Sequence, residues 1–276
     1  MKVFTFFYNR YTNATTSKAL FENGINHNVL IHKESDYELF KKGNTLFGNP
    51  IVTNSPKGLA YQRNCALDMM DMGEWAVFMC DDFKKIYSFP KEKILSNQLE
   101  LDINFENQKH YRLNNSNEMQ LREMFKLFPK LIQLAELNKI YLIGFALHDN
   151  PLNLRKKFGH RGLADGRFWL VKKSTYRFDL NAQLIDDVAW TSENLVRHGN
   201  VLILNWTIPY FSRYTSGGFG STTERKELRK KECAYLCNKY NPLVSYANKA
   251  GWDYGTHIKI NGSDKNILQA RKKIFR

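Results

Sequence analysis

Two pairs of neighbouring aspartates are the residues of this chain whose types and spacing could do chemistry: Asp81–Asp82 and Asp186–Asp187. The first pair follows the apolar run 74–80, and the second begins a helix-like stretch that closes at Gly199. Adjacent carboxylates can hold Mg²⁺ or Mn²⁺ against a diphosphate, because these hard cations prefer oxygen ligands. A separate carboxylate can act as general base toward a hydroxyl group. Either pair also has a structural explanation, since acids are common in turns and at helix starts.

The segments around these acids predict an α/β protein with a mostly parallel central sheet flanked by helices. Short apolar runs alternate with helical stretches, which is the pattern of βαβ units. We predict strands at 3–8, 28–32, 74–80, 140–146, 167–172 and 201–206, and helices at 16–24, 59–72, 116–138, 186–199 and 223–240. Pro129 should break its helix, and Gly73 should cap the helix before it. Ligands in open α/β sheets bind beyond the carboxyl ends of strands, where Asp81 and Asp82 are expected.

The charge of the chain is strongly positive and unevenly distributed. The 276 residues include 41 Lys+Arg and 27 Asp+Glu, a formal net charge of +14. Residues 154–177 hold eight basic residues and one acid, and residues 221–276 hold thirteen and five. Clustered Lys and Arg are typical of proteins that bind nucleic acid, so we expect a nucleic acid as a polyanionic partner. The run 225–231 taken alone is better explained as the solvated face of a helix.

Membrane and secretion signals are not evident in the sequence. No window approaches the roughly 18 consecutive apolar residues that a membrane span needs, and the first residues do not form a secretion signal. The four cysteines follow neither a disulfide-rich nor a zinc-ribbon spacing, so we expect reduced thiols. We therefore expect a cytoplasmic protein that has no membrane partner and needs no obligate protein partner.

The stretch from Gly58 to Asp82 resembles the nucleotide-sugar glycosyltransferases of the GT-A fold. It contains in order a glycine, an Arg-Asn pair, a second glycine and two acids: Gly58, Arg63, Asn64, Gly73, Asp81 and Asp82. The resemblance implies that Asp82 binds the Mn²⁺ or Mg²⁺ that bridges the donor diphosphate, and that Asp81 lies near the ribose or the metal. It implies that Arg63 points at phosphate or donor sugar. Cys80 stands where the commoner Asp-x-Asp motif has its first acid.

A second match to these enzymes begins at Asp186–Asp187, where they carry an acidic pair followed by a glycine-terminated helix. In inverting members the second acid deprotonates the acceptor hydroxyl, and by position that is Asp187, with Asp186 beside it in the catalytic pair. The resemblance further implies that His257 completes the metal shell. The residues implied to bind the nucleotide follow the first two strands: Tyr8, Arg10, Tyr11 and Asp36. The glycine-rich loop 217–220 is a candidate lid or simply a connection.

The basic charge and the overall pattern look like the small DNA glycosyltransferases of T-even-type phages. This resemblance implies UDP-glucose as the nucleotide-sugar donor, with a pentose donor possible, and hydroxymethylcytosine in DNA, or the glucose already on it, as acceptor. We expect one GT-A-like domain over residues 1–276, with a nucleotide-sugar-binding half at 1–110, an acceptor-binding half at 111–276 and a basic C-terminal helical region. Two other classes stay open: a two-metal nuclease or nucleotidyltransferase using Asp81, Asp82 and Asp187, and a non-catalytic DNA-binding protein.

Overall fold

The structure is a computed structural model that describes residues 1–7, 14–42, 47–88, 117–145, 158–211, 222–247, 255 and 257–275. Its strands are β1 Lys2–Phe6, β2 Asn28–Ile31, β3 Asn49–Val52, β4 Trp75–Cys80, β5 Phe83–Ser88, β6 Asn117–Met119, β7 Leu142–Phe145, β8 Phe158–Gly159, β9 Phe168–Lys172, β10 Leu202–Leu204, β11 Thr207–Phe211, β12 Val244–Tyr246 and β13 Ile258–Ile260. Its helices are α1 Thr15–Glu22, α2 Glu34–Lys42, α3 Leu59–Asp68, α4 Leu121–Leu137, α5 Asp186–His198, α6 Thr222–Lys239 and α7 Asp264–Ile274.

A mostly parallel eight-stranded sheet forms the centre of the molecule, with strand order β3-β2-β1-β4-β9-β7-β10-β8. The first four strands in this order are mutually parallel, and β7 and β10 run in the same direction. The two other strands, β9 and β8, run against their neighbours. The predicted fold class is therefore confirmed at the level of an α/β protein with a mostly parallel central sheet.

Both faces of this sheet are covered, as the continuous apolar run of β4 requires. Ala76 and Phe78 of β4 belong to one core, which contains buried residues of α3, α5, α6 and α7. Val77 and Met79 point to the opposite face, where they join a second core with α1 and α4. Because side chains alternate along a strand, one apolar strand contributes to both layers. The acids that follow β4 are thereby held at the end of a strand packed on both faces.

Three predictions about helices are wrong. The helix predicted to begin at residue 116 begins at Leu121, because Asn117–Met119 pair with β5 as strand β6. Pro129 lies inside α4 and does not break it, since the apolar stripe of that helix is anchored in the core on both sides of the proline by Met124 and Leu131. Helix α3 ends at Asp68, before Gly73, and Lys173 and Lys2 donate to the carbonyls of Leu67 and Met69. These amines satisfy carbonyl groups near the helix end that would otherwise accept the next helical hydrogen bonds. Gly73 instead lies in the turn that leads into β4, with φ +81°.

Several short elements had not been predicted. A three-stranded sheet of order β11-β5-β6 and the hairpin β12-β13 lie outside the central sheet.

The four cysteines are free thiols, as expected. Among the residues that the structure describes, no helix is both long enough and apolar enough to cross a membrane.

Candidate functional site

The turn Asp81–Asp82 lies at the edge of the sheet where β1, β2 and β4 all have their carboxyl ends. The first turn of α1 fixes this turn through its threonines. The Thr16 hydroxyl donates to the Cys80 carbonyl at 2.6 Å and accepts from the Phe83 amide at 2.9 Å. The Thr15 hydroxyl donates to the carbonyl of Asp81 at 3.2 Å. The backbone that carries both carboxylates is therefore held from outside the sheet.

The second acidic pair reaches the same edge through the buried side chain of Arg63. Only 1% of Arg63 is exposed, and its Nη1 donates to the Asp186 carboxylate. Its Nη2 donates to the carbonyl of Gly166 at 2.5 Å and lies 4.0 Å from the Cys80 sulfur. Because Cys80 directly precedes Asp81, one guanidinium connects the end of β4 with the start of α5. The partners that the structure gives Arg63 are thus protein groups, and its predicted contact with the donor stays a prediction.

Aromatic rings enclose this guanidinium and explain how a cation is accommodated in the core. The Arg63 guanidinium carbon lies 4.4 Å from the ring centre of Trp169 and 5.5 Å from that of Phe178. Such cation–π contacts stabilise a desolvated cation. The neighbouring Asn64 holds Phe178 in place, donating to its carbonyl at 3.0 Å and accepting from its amide at 2.8 Å. Both members of the Arg-Asn pair therefore have a positioning role.

Asp187 lies against Gly166, the residue whose carbonyl Arg63 binds. A Cβ built on Gly166 would approach the Asp187 Cβ to 2.8 Å, closer than real Cβ atoms come. Glycine is therefore required at this position for the start of α5 to reach the site. The start of α5 is also held from the other side, where the buried Glu232 of α6 accepts from the amides of Gln183 and Leu184, each at 2.9 Å.

The surroundings of the second acidic pair raise the pKa of both its carboxyl groups. Burial raises the pKa of Asp187 to about 7, and the carboxylates of Asp186 and Asp165 contribute in the same direction. Burial also raises the pKa of Asp186, against the opposing effect of Arg63. Burial raises the pKa of the Cys80 thiol. The charge of Arg63 opposes this increase, and the charges of Asp82 and Asp81 add to it. These mutual effects show that the two acidic pairs share one electrostatic environment.

Sequence reasoning missed Asp165 and Arg167, which flank Gly166 at the entrance to β9. Arg167 Nε donates to both oxygens of the buried Asp165 carboxylate at 2.9 Å. Burial lowers the pKa of Arg167, but the hydrogen bonds and charge of Asp165, with a contribution from Asp82, raise it overall. The site thus contains a cation fixed near Asp82. The sequence did contain a signal for them, because an acid and a base flank a glycine immediately before a predicted strand. We counted both residues only in the net charge of residues 154–177.

The remaining predicted residues are placed as follows. Asp36 is buried in the first turn of α2, just beyond the carboxyl end of β2. His257 directly precedes β13 in the small β12-β13 hairpin, and its carbonyl accepts from the Ala247 amide at 3.0 Å. The three other nucleotide-binding candidates, Tyr8, Arg10 and Tyr11, lie outside the described residues. The glycine-rich loop 217–220 also lies outside them.

The donor set fits a hard divalent cation better than a closed metal centre. Within the described parts of the chain, no group of three or more His, Cys, Asp or Glu side chains is arranged to hold a metal. Asp81 and Asp82 nonetheless place two consecutive carboxyl groups in the turn that follows β4. Magnesium commonly binds through one or two carboxylates, completed by water and substrate phosphates. The residues present therefore fit a cation that arrives with a diphosphate.

Comparison of the chain with protein-family models and with curated proteins finds no match.

Proposed function

We propose that this protein is a metal-dependent glycosyltransferase of the GT-A type that transfers a sugar, glucose from UDP-glucose, to hydroxymethylcytosine in DNA or to the glucose already attached to it. The observation that carries the proposal is the convergence of Asp81–Asp82 and Asp186–Asp187 at one edge of the sheet through Arg63. One acidic pair suits the electrophile side of a sugar transfer, and the other suits the nucleophile side.

Asp187 is the general base in this proposal. The acceptor oxygen forms a bond to the anomeric carbon of the sugar, and the bond from that carbon to the diphosphate oxygen breaks. The acceptor proton goes to the Asp187 carboxylate, and the nucleoside diphosphate leaves. A pKa raised by burial to about 7 matches this role, because proton transfer is most effective when the pKa of the base lies near the working pH.

Asp82 and Asp81 are the candidate metal ligands. Mg²⁺ or Mn²⁺, when bound there with the donor diphosphate, supplies positive charge against the charge that develops on the leaving group. Arg167, fixed by Asp165 and close enough to Asp82 to interact electrostatically, adds a permanent cation on this side of the site. Preorganised charge of this kind stabilises a transition state without reorganisation during the reaction.

Arg63 and Asp186 are positioning residues rather than reacting groups. Their side chains are 1% and 9% exposed and are bonded to each other, so Asp186 is a poorer candidate for the base than Asp187. The pair holds the start of α5 against the end of β4. The donor contact that the resemblance implied for Arg63 stays a prediction beside this positioning role.

The proposed DNA acceptor is supported by the net charge of +14, which a sugar acceptor on a protein or lipid does not require. The test is mass spectrometry of nucleosides digested from hydroxymethylcytosine DNA, bare or α-glucosylated, after incubation with the protein, Mn²⁺ and UDP-glucose. One added hexose on either nucleoside is the expected product. DNA cleavage or extension without sugar addition would overturn the proposal in favour of a two-metal nuclease or nucleotidyltransferase.

Three variants assign the roles within this assay. Asp82→Ala should abolish transfer and metal-dependent UDP-glucose binding, whereas Asp187→Asn should abolish transfer and leave donor binding intact. Asp71→Asn, a change of an exposed acid near the end of α3, is the matched control and should behave as wild type. Wild-type turnover in both site variants would refute these roles.

A further inference from the structure

A basic groove lies at the edge of the central sheet opposite the acidic pairs. It has a volume of about 700 Å³, and the described residues that line it include four cations, Lys172, Lys173, Arg197 and Arg271, and no acid. Lys172 pairs in register with Trp75 at the amino end of β4, whereas Asp81 follows the carboxyl end of that strand. The groove is therefore a different surface from the proposed active site.

The groove brings together the two stretches that give the chain its positive charge. Lys172 and Lys173 belong to the stretch 154–177, and Arg271 belongs to the stretch 221–276. Arg197 joins them from the last turn of α5. Side chains separated by about a hundred residues in sequence thus line one groove. If these cations only kept separate helix faces solvated, they would not need to lie together.

Each of the four cations donates to a protein acceptor, and those of Lys172, Lys173 and the Arg197 side chain lie outside the residues that line the groove. Lys172 donates to Glu136 at 2.6 Å, Arg197 to Glu193 at 2.5 Å, and Lys173 to the Leu67 carbonyl at 2.6 Å. Arg271 donates to the carbonyls of the last turn of α5, including that of Arg197 at 3.2 Å. An ammonium has three N–H groups and a guanidinium has five, so anchoring fixes the cations without exhausting their donors.

His198 reports the positive field in the groove. Its ring stacks on Tyr141 at 3.8 Å, and its Nε2 is buried without a hydrogen-bond partner among the described residues. Burial, together with the charges of Arg197, Arg271 and Lys172, lowers the pKa of His198 to about 4. The groove therefore keeps an imidazole neutral and favours anions.

We propose that this groove binds the phosphodiester backbone of a nucleic acid, at a site separate from the catalytic acids. An extended polyanion fits better than a single phosphate, because the four cations come from three different parts of the groove wall and the exposed Lys272 follows Arg271 in α7. Phe275, which lines the groove and is 52% exposed, offers an aromatic face near the cations. Cations combined with aromatic surface are the usual components of backbone binding.

The proposal shares only its partner with the proposed glycosyl transfer and does not depend on that activity. Helix α5 connects the two surfaces, with Asp187 near one end and His198 at the other. Eleven residues of helix correspond to about 16 Å, so the groove and the acidic pairs are separate surfaces.

The test is binding of an unmodified 20-base-pair duplex, followed by fluorescence anisotropy over a series of salt concentrations without any sugar donor. The variant Lys172→Gln/Lys173→Gln should bind about tenfold more weakly, with a slope of log affinity against log salt shallower by about two, as expected for two lost phosphate contacts. The matched control Lys126→Gln/Lys130→Gln removes the same charge from exposed positions of α4 and should bind as wild type.

Lysine acetylation followed by mass spectrometry tests the wild-type protein directly, in case the groove variant folds poorly. Bound duplex should slow modification of Lys172, Lys173 and Lys272 at least fivefold and leave Lys126 and Lys130 unchanged. Equal loss of affinity in the groove and control variants, or protection only at lysines outside the groove, would overturn the proposal. Because no donor is present, neither result depends on whether glycosyl transfer occurs.

Discussion

The buried guanidinium of Arg63 donates to the carboxylate of Asp186. This ion pair joins α3 to α5, the helix that begins with the second acidic pair. Both side chains are almost fully removed from solvent. A pair in such surroundings contributes mainly by mutual neutralisation, because either partner left alone would be an uncompensated buried charge. The stability of the fold and the arrangement of the site therefore depend on the same contact.

Removing one partner of this pair should strongly destabilise the protein. Arg63→Met leaves the Asp186 carboxylate buried without a cation, so we expect the free energy of unfolding to fall by about 3–5 kcal/mol. Arg63→Met/Asp186→Leu should recover much of that loss, because it leaves no buried charge. Chemical denaturation monitored by circular dichroism measures both values.

Arg177→Met is the matched control for Arg63→Met. Arg177 pairs with Asp68 at the surface, where both side chains are about half exposed. Exposed pairs contribute typically less than about 1 kcal/mol. If Arg63→Met and Arg177→Met were equally mild, the buried pair would not have the structural role assigned to it.

Adding a methyl group at Gly166 should disturb the site. The new Cβ of Gly166→Ala would meet the Asp187 Cβ at 2.8 Å, so the start of α5 must move. Overpacking of this kind costs typically about 1–3 kcal/mol, and we expect transfer activity to fall at least tenfold. Thermal unfolding and the transfer assay give the two measurements.

Gly162→Ala controls for the general effect of a glycine-to-alanine change in this segment. Its added Cβ meets only the Cδ1 atom of Ile203, at 3.3 Å, and that methyl group can shift. We expect stability and activity close to those of the wild type. An inactive but stable Gly162→Ala would show that the segment, rather than the Gly166–Asp187 contact, controls activity.

Asp187 should reduce the stability of the folded protein at neutral and alkaline pH. Its folded pKa, about 7, lies above the value near 3.8 expected in the unfolded chain, so the folded state keeps a proton that the unfolded state loses between these values. Stability is therefore lost as the pH rises from about 4 to 7. At pH 8 the free energy of unfolding of Asp187→Asn should exceed that of the wild type by on the order of 2 kcal/mol, and this difference should vanish toward pH 4. Chemical denaturation at the two pH values measures it.

Asp68→Asn provides a control of opposite sign. The hydrogen bond from Arg177 lowers the pKa of Asp68, so its charge stabilises the fold above the unfolded value and that contribution is lost at lower pH. Asp68→Asn should therefore be less stable than wild type at pH 8 and approach it in acid. A destabilising Asp187→Asn at pH 8 would contradict the raised pKa of Asp187.

The pH dependence of transfer should report the same group. Activity at limiting acceptor should rise with pH through an apparent pKa near 7, as Asp187 loses its proton. Asp165→Asn should move this limb to lower pH, because it removes a carboxylate whose charge raises the pKa of Asp187. An unchanged limb in an active Asp165→Asn protein would point to a different titrating group.

The sequence by itself predicted the parts of the fold that have a local pattern. The apolar runs before Asp81 and at 167–172 became central strands, and the stretch between Asp186 and Gly199 became α5, with Gly199 as its left-handed cap. Apolar runs and glycine caps are properties of neighbouring residues, so they can be recognised in one chain. The two acidic pairs were recognised for the same reason.

Short elements were missed because they have little pattern of their own. Strands of three residues such as β6 and β12 are too short for alternation to be visible, and they form through pairing with distant strands. Helix α2 did have a local signal, with acids in its first turn and lysines in its last, that we did not use. Pro129 was misjudged because packing of the flanking apolar residues outweighs the loss of one helical hydrogen bond.

Only the tertiary structure decided which of these residues act together. Packing of helices on the sheet places Arg63 between Cys80 and Asp186, and Gly166 against Asp187. It also brings Lys172 and Arg271 into the same basic groove. Burial, which depends on all the elements packed around a side chain, raises the pKa of Asp187 and lowers that of His198. Residue types and local spacing thus determined which groups were available, whereas long-range packing determined their partners and their protonation, because both depend on atoms far apart in the sequence.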